Sequence, residues 1–376
     1  MTHPQWGIVV TTVNGGDFLA AYLDNLRTHG HLGDTRLYVV GDQKTPDRCR
    51  LASDAARAQG LDCLYLGVPE QMAFLRDFPL LDQIVPWNSD NRRNVGFAMA
   101  LRDGVEGIMS IDDDNLPVPG SDFVGGHAVV GQHVTAPTFD ASSGWYNLFE
   151  ALEYNPSLTV WPRGFPYRLR GNSTVSCSES TATAHLNAGL WLGDPDVDAI
   201  TRIAIRPDVT AVRLRRGLLA PGTYSPINTQ NTAVHREAMT AYYYVLMHEQ
   251  MHGSRLNRFG DIWSGYFAQK CAKALGYAVA FGEPPVTQVR NEHDLLVDLR
   301  EEYWGIVLSE HLSRWLLDVE LRGSTYSSLY GDLADRLLEF VRGFEHPSFN
   351  REVVAFFEKV NSAMHAWLET IARLST

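Results

Sequence analysis

The chain has 376 residues, 44 acidic against 32 basic side chains, a formal charge of −12 and 45% hydrophobic residues. That length holds one large domain or two ordinary ones around a substantial core. The acidic balance excludes the basic face that nucleic acid or an anionic membrane would need, so neither is expected as a partner. An anionic ligand must instead be received locally, by arginines, helix N-termini or a metal. No apolar run of about 18 residues exists to span a bilayer. The first residues, Met1 to Trp6, lack the basic-then-apolar pattern of a signal peptide. Cys49, Cys63, Cys177 and Cys271 are scattered, without the paired spacing of a zinc or redox motif. The cytoplasm is the default expectation.

From the N-terminus, Gly7 to Val13 predicts a buried strand, Asn14-Gly15-Gly16 a turn, and Asp17 a cap for a helix with Phe18, Leu19, Tyr22, Leu23 and Leu26 on one face. Leu37 to Val40 predicts a second strand ending at Gly41-Asp42, then a helix over 47–59 and a third strand over 61–66. Strands alternating with helices indicate an α/β fold with a mostly parallel sheet, whose ligands bind beyond the carboxyl ends of the strands. Thr11, Thr12 and Asp42 fall at such ends and are candidate substrate-binding residues.

The densest signal is Ile108-Met109-Ser110-Ile111-Asp112-Asp113-Asp114-Asn115, an apolar strand stopping at three carboxylates, with Pro117 and Pro119 expected to keep it from resuming. Adjacent carboxylates raise the cost of ionising one another unless a cation sits among them. On an extended backbone Asp112 and Asp114 would point one way and Asp113 the other, which suits Mg2+ or Mn2+ held by one or two carboxylates plus phosphate and water. A solvated acidic turn is the plain alternative. Just upstream, Arg92 and Arg93 open a helix and could receive a diphosphate; an exposed basic first turn is the alternative.

Beyond residue 120 the pattern weakens. Val129-Val130 and His133 to Thr135 suggest short strands. In Trp161 to Arg170 two prolines and a glycine exclude a regular helix, so Arg163, Arg168 and Arg170 come from an irregular segment. Gly193 to Asp198 reads as a turn and helix start rather than a calcium loop. Asn228 to Thr232, with Asn231, is a polar loop, and Asp261 starts an aromatic-rich helix containing Trp263, as a base or simply as its N-cap. After about residue 300 come three helical stripes: Ile306 to Val319, Leu329 to Val341, and Val353 to Ile371. They define a helical region over 301–376, packed on the 1–300 core or on another subunit of a homo-oligomer.

The α/β start, the acidic triplet and the arginine-bearing helix resemble the nucleotide-sugar domain of GT-A-like glycosyltransferases. Arg163-Gly164-Phe165-Pro166-Tyr167-Arg168-Leu169-Arg170 resembles Arg-Gly-Tyr-Pro-Phe-Ser-Leu-Arg of the reversibly glycosylated polypeptides, the UDP-arabinopyranose mutase family. That family's Gly-Leu-Trp-Leu with a Pro-Asp-aromatic-Asp turn is echoed by Gly189 to Asp198. Its Asp-Asp-Met-Trp-Ala-Gly-Trp is echoed by Gly260 to Tyr266, and its Glu-Tyr-Lys-Gly-Ile by Glu302 to Ile306. Each landmark is weak alone; their shared order is specific.

The resemblance implies a mutase interconverting pyranose and furanose forms of a nucleoside-diphosphate sugar, with Mn2+ or Mg2+. It implies a bacterial member of the GDP-L-hexose type, UDP-arabinose being the plant substrate. Arg163 falls on the family's glycosylated arginine, Arg170 on its second arginine, and Asp112, Asp113 and Asp114 on its acidic triplet. Asp112 and Asp114 are the metal candidates. The chain departs from the family at Ala188 and Gly260, which replace a histidine and an acid, and in lacking a histidine near 286–289, for which His293 is the displaced candidate ligand. Arg163 could act covalently or electrostatically, since a guanidinium is normally protonated and a poor nucleophile. Asp261 could move or merely hold a sugar hydroxyl proton. A glycosyltransferase with a separate acceptor and a non-catalytic binding subunit are the rival readings.

Overall fold

A computed structural model describes residues 4–251, 253–289 and 294–374. Four strands, β1 (Trp6–Thr12), β2 (Thr35–Gly41), β3 (Asp62–Leu66) and β4 (Gly107–Asp112), form a parallel array in the spatial order β3-β2-β1-β4. Their central residues are the β-branched and aliphatic runs foreseen, with Ile8, Val9, Val10, Val39, Ile108 and Ile111 removed from solvent. The register pairs Thr11 with both Val40 and Asp112, and Thr12 with Gly41. Thr11, Thr12, Asp42 and the acidic triplet therefore share one edge of the sheet.

Beyond β4 the sheet becomes mixed. Asn231–His235 lies antiparallel to β4 and then to the long strand Val175–Gly193, which pairs antiparallel with His133–Ala141 and parallel with Ala278–Gln288. The α/β architecture with a helical C-terminal region is thus present, its parallel part concentrated in the N-terminal third. Three local expectations are corrected. The chain does resume as a strand after the aspartates, at Asn115–Pro117, pairing with 286–288. Pro117 is tolerated because this short strand ends the sheet, where a missing N–H breaks no ladder. Asp17 does not cap the first helix, whose N-cap is Phe18 without a side-chain bond. Val129-Val130 lie in a turn, and only His133–Ala141 is a strand there.

The helix Arg93–Arg102 lies so close to the sheet that a Cβ on Gly96 would stand 2.5 Å from Val9 Cγ1 and 2.8 Å from Val40 Cγ2. Only glycine permits that approach, which sinks Arg93 under the edge of β1 and β4. At the C-terminus, helices Leu295–Asp318, Tyr326–Gly343 and Arg351–Leu374 bury the three stripes, including Leu308, Leu312, Leu316, Leu333, Leu337, Val360, Met364 and Trp367. Each such side chain contributes about 1.5–3 kcal/mol on burial. Polar pins cross the same boundary: Trp145 Nε1 donates to Ser313 O (3.3 Å), Trp263 Nε1 to Ser309 Oγ (2.9 Å) and Trp367 Nε1 to Met239 O (3.2 Å). The first of these helices starts at Leu295, capped by Asp294, so a division at residue 300 falls inside it.

Candidate active site

β4 ends at Asp112, and Asp113 and Asp114 occupy the turn that follows. Strand alternation therefore does not set their directions; separate donors do. Asp112 Oδ1 accepts from Arg93 Nη2 at 2.5 Å. Asp113 accepts from the Thr12 hydroxyl and from Asn14 Nδ2 (2.9 Å), and burial raises its carboxyl above the usual range against those two bonds. Asp114 accepts from Asn115 Nδ2 (2.9 Å) and Gln288 Nε2 (3.4 Å).

The two arginines part company. Arg93 is buried beneath the edge, its terminal nitrogens donating to Ser110 Oγ, Ile111 O, Thr229 O and Thr11 Oγ1 as well as Asp112. Arg92 gives Nε and Nη2 to Gln71 Oε1 (2.9 and 2.6 Å) and Nη1 to Val85 O (2.7 Å), with Trp87 stacked 3.5 Å from its guanidinium carbon. Burial pushes Arg92 down to about 10. It is a structural brace with its forked face already used, unlike the diphosphate contact expected of it. Since both arginines are buried, the exposed basic first turn is not found either.

Arg163 makes five side-chain hydrogen bonds, as Arg93 does. The left-handed Gly164 (φ 88°), where a Cβ would stand 2.4 Å from Ile262 Cγ2, brings the Arg-Gly turn down onto the helix Gly260–Ala274. All five guanidinium N–H groups are then engaged. Nε and Nη2 clamp Asp196 (3.0 Å each), Nη1 and Nη2 clamp Asp261 (3.2 and 2.7 Å), and Nη1 also donates to Arg258 O. Burial works against this cation, but the two carboxylates outweigh it and hold its pKa well above the ordinary value. Asp261 lies within the first turn of its helix, one residue after Gly260; the N-cap is Phe259, so the capping alternative does not apply. Burial raises the Asp261 carboxyl, with Arg163 opposing.

A second tier supports this pair. Asn228 Nδ2 donates to Asp196 (2.6 Å). Arg258, in the left-handed region at φ 62°, donates Nε to Glu302 Oε1 (2.9 Å) and lies 3.3 Å from Asp298. Glu302 Oε2 also accepts from the Ala199 amide at 2.7 Å. The C-terminal helices thus contribute two acids that balance the charge behind the site.

Two adjoining cavities open along the edge. The first, about 250 Å3, is lined by Thr11, Thr12, Asp42, Lys44, Asn88, Ser89, Asp90, Arg92, Asp113 and His248 among others. The second, about 200 Å3, is lined by Arg93, Asp112, Asp114, Arg163, Gln230, Tyr244, Arg258, Asp261 and Gln288, and shares Thr11, Asp90 and Asp113 with the first. The structure therefore brings Thr11, Thr12, Asp42, the triplet, Arg93, Arg163 and Asp261 onto one continuous depression. Three expected residues lie away from it. Asn231 is fully buried, bonded to His127 Nε2 (2.9 Å), Leu190 O and Pro284 O. Trp263 is in the core against Phe357. Arg170 holds Asp198 (2.6 Å) and stacks on Tyr167, locking the irregular segment. His293 lies outside the described residues.

Sequence reasoning missed Asp90, Asp196, Arg258 and Glu302. Asp90 reaches the opening, yet the surrounding protein and then the Asp112 charge push its carboxyl up to about 6. Asp196 had a visible signal, the Pro195-Asp196 turn after Gly-Leu-Trp-Leu, but its partner is 33 positions away. The triplet carboxylates offer a hard, oxygen-only donor set, compatible with a small divalent cation held by one or two carboxylates.

A family model described as reversibly glycosylated polypeptide matches residues 80–376. This chain belongs to that family. Among curated relatives, the Arabidopsis thaliana protein named Probable UDP-arabinopyranose mutase 4 is 26% identical over 278 residues, covering 71% of this chain and 68% of its own length. A. thaliana UDP-arabinopyranose mutase 1 is 28% identical over 212 residues, 55% of this chain and 53% of the relative, so that match spans about half the relative's length. Rice also supplies a Probable inactive UDP-arabinopyranose mutase 2, 25% identical over 69% of this chain and 70% of its own. Solved structures superpose loosely. Mycobacterium tuberculosis glucosyl-3-phosphoglycerate synthase with Mn2+ and UDP-glucose gives a TM-score of 0.40 at 14% identity, over 82% of this chain and 79% of that one. S. aureus TarS with UDP-GlcNAc gives 0.42 at 10% identity, over 98% and 90%.

Proposed function

We propose that this chain is a mutase interconverting the pyranose and furanose rings of a nucleoside-diphosphate sugar. The observation that carries the reading is one depression in which Arg163 and Asp261 face the Asp112–Asp114 turn across about 200 Å3. The family membership and the names of the relatives support it, and they favour a UDP-linked pentose over the GDP-L-hexose type.

The nucleoside end fits the first cavity, at the carboxyl ends of β1 and β2, where Thr11, Thr12 and Asp42 offer hydroxyl and carboxylate groups. The diphosphate then lies over the triplet, where Asp112 and Asp114 would hold Mn2+ or Mg2+, which neutralises charge on the diphosphate when bound. Arg93 and Arg258 add fixed positive charge on the same wall. The bond from C1 to the diphosphate breaks and its electron pair leaves with the diphosphate. Another hydroxyl of the sugar gives up its proton and bonds to C1. The original ring oxygen then takes a proton and leaves C1 as a hydroxyl, and the same diphosphate returns to C1. Asp261, raised by burial, is suited to take and return the hydroxyl protons of that exchange. Arg163 keeps Asp261 oriented, and its charge opposes the rise that burial imposes on the Asp261 carboxyl. A covalent role would require it to shed a proton and at least one of five bonds, so the electrostatic role is the economical one.

A second reading has one observation in its favour. A relative described as inactive covers as much of this chain as the mutase relatives do, so the chain could bind nucleotide sugar without turning it over. Incubation with UDP- and GDP-sugars, no acceptor present, tests both. A mutase yields an isomer of equal mass separable by chromatography. Slow hydrolysis alone would point to a transferase, and binding without change would point to the non-catalytic subunit.

A further inference from the structure

At the opposite end of β4 a second polar cluster stands apart from the nucleotide edge. His235 pairs with Gly107, the first residue of β4, five residues and roughly 16 Å back from Asp112 at the usual strand rise. Its other neighbour is the Val175–Gly193 strand. The pairing of Val234 with Leu186, continued by one residue, sets His185 directly opposite His235, and directly opposed residues share a face. The two imidazole rings stand 4.4 Å apart, and Glu237 follows as the chain turns. One ligand atom from each of His185, His235 and Glu237 falls within 4.8 Å of the others, the one such triad among the described residues.

We infer that His185, His235 and Glu237 form a site for a zinc-class divalent ion, separate from the nucleotide edge. Two imidazoles and one carboxylate are a nitrogen-rich donor set, which selects zinc-class metals over Mg2+ and leaves a fourth position for water. The supporting contacts are those a ligating histidine uses. His185 Nδ1 lies 2.8 Å from the Tyr326 hydroxyl and its ring stacks on Tyr277 at 3.4 Å, so rotation is blocked and Nε2 remains for the metal. His235 Nδ1 is buried without a hydrogen-bond partner. A cavity of about 540 Å3 adjoins the cluster on the side of Glu237, Tyr277 and Tyr326. Tyr326 is the first residue of the helix Tyr326–Gly343, so a bound ion would fasten the C-terminal helices to the amino end of the sheet.

The test uses untagged full-length protein stripped with chelator and titrated with Zn2+ and with Co2+ as spectroscopic probe. One equivalent should bind in the presence of excess Mg2+, with an imidazole-type Co2+ spectrum and a rise in melting temperature. The same equivalent should persist in Asp112→Asn/Asp114→Asn, which separates it from the nucleotide edge and from the mutase reading. His235→Gln should abolish it, and Glu237→Gln, at an exposed position that leaves the fold alone, should weaken it sharply. Tyr326→Phe should weaken it by roughly 10–100-fold, as loss of an orienting partner does. Equal zinc affinity in wild type and Glu237→Gln, or no retained zinc in wild type, would overturn the site.

Discussion

At the carboxyl end of β4, Asp112 meets Arg93 at 2.5 Å, and full charges crowd the edge: five aspartates and three arginines line one cavity and its rim. At the amino end, Gly107 sits beside His235, and the local polar groups are neutral imidazoles, burial pushing His185 down to about 3. One strand thus spans two electrostatic regimes. Charges cost heavily to bury, so they persist only where each is paired and the imbalance suits a charged ligand. Imidazoles can stay neutral, so they tolerate burial among tyrosines with few partners. The carboxyl end should accordingly be sensitive to charge removal and to pH near 6.

The largest effect belongs to the clamp. Arg163→Met leaves Asp196 and Asp261 buried without their shared cation and should cost roughly 3–5 kcal/mol in denaturant unfolding, with loss of turnover. Arg163→Lys keeps the charge but offers three donors where five are used, and should lose most turnover while nucleotide-sugar affinity falls much less. A wild-type rate in the lysine variant would end Arg163's role in the chemistry. Radiolabel retained covalently on wild type from nucleotide sugar, and absent from the lysine variant, would replace the electrostatic role with a covalent one.

Next comes the triplet. Asp112→Asn and Asp114→Asn should each slow turnover by about a hundredfold or more, the scale of several kcal/mol of charge stabilisation. The fold should hold, because Arg93 retains four other acceptors when Asp112 is neutral. Chelator should silence wild type and Mn2+ restore it. Full activity in chelator would remove the metal from this edge.

The smallest effect is that of Asp90. Its folded pKa of about 6 lies above the unfolded carboxylate value of about 4, so the folded state holds the proton more tightly. Its contribution to stability is therefore present below pH 4 and lost as pH rises toward 6. Metal-free nucleoside diphosphate should bind more tightly as pH falls through 6, because a neutral Asp90 repels it less. Calorimetry on Asp90→Asn should flatten that dependence; an unchanged profile would assign the titration to another group.

How much of this was legible in the residues follows from the range of the forces involved. Strand periods, helix stripes and the Asp112–Asp114 stop are written in neighbouring positions, because backbone geometry alone decides which side chains share a face. Those predicted β1 to β4, the three C-terminal helices and the edge where Thr11, Thr12, Asp42 and the triplet meet. The resemblance to the reversibly glycosylated polypeptides singled out Arg163 and Asp261. What each group does was not local. Arg92 and Arg93 are adjacent and alike in sequence, yet one is spent on Gln71 and Val85 while the other, at the start of the helix whose Gly96 packs tightly on β1, holds Asp112. Trp263 and Asn231 resemble binding residues until the C-terminal helices and the Pro284 carbonyl cover them. Asp196 reaches Arg163 across 33 positions, Glu302 reaches Arg258 across 44, and His185 meets His235 only through strand register. Pairing of charges in a low-dielectric interior depends on distance in space, which the order of residues along the chain does not contain.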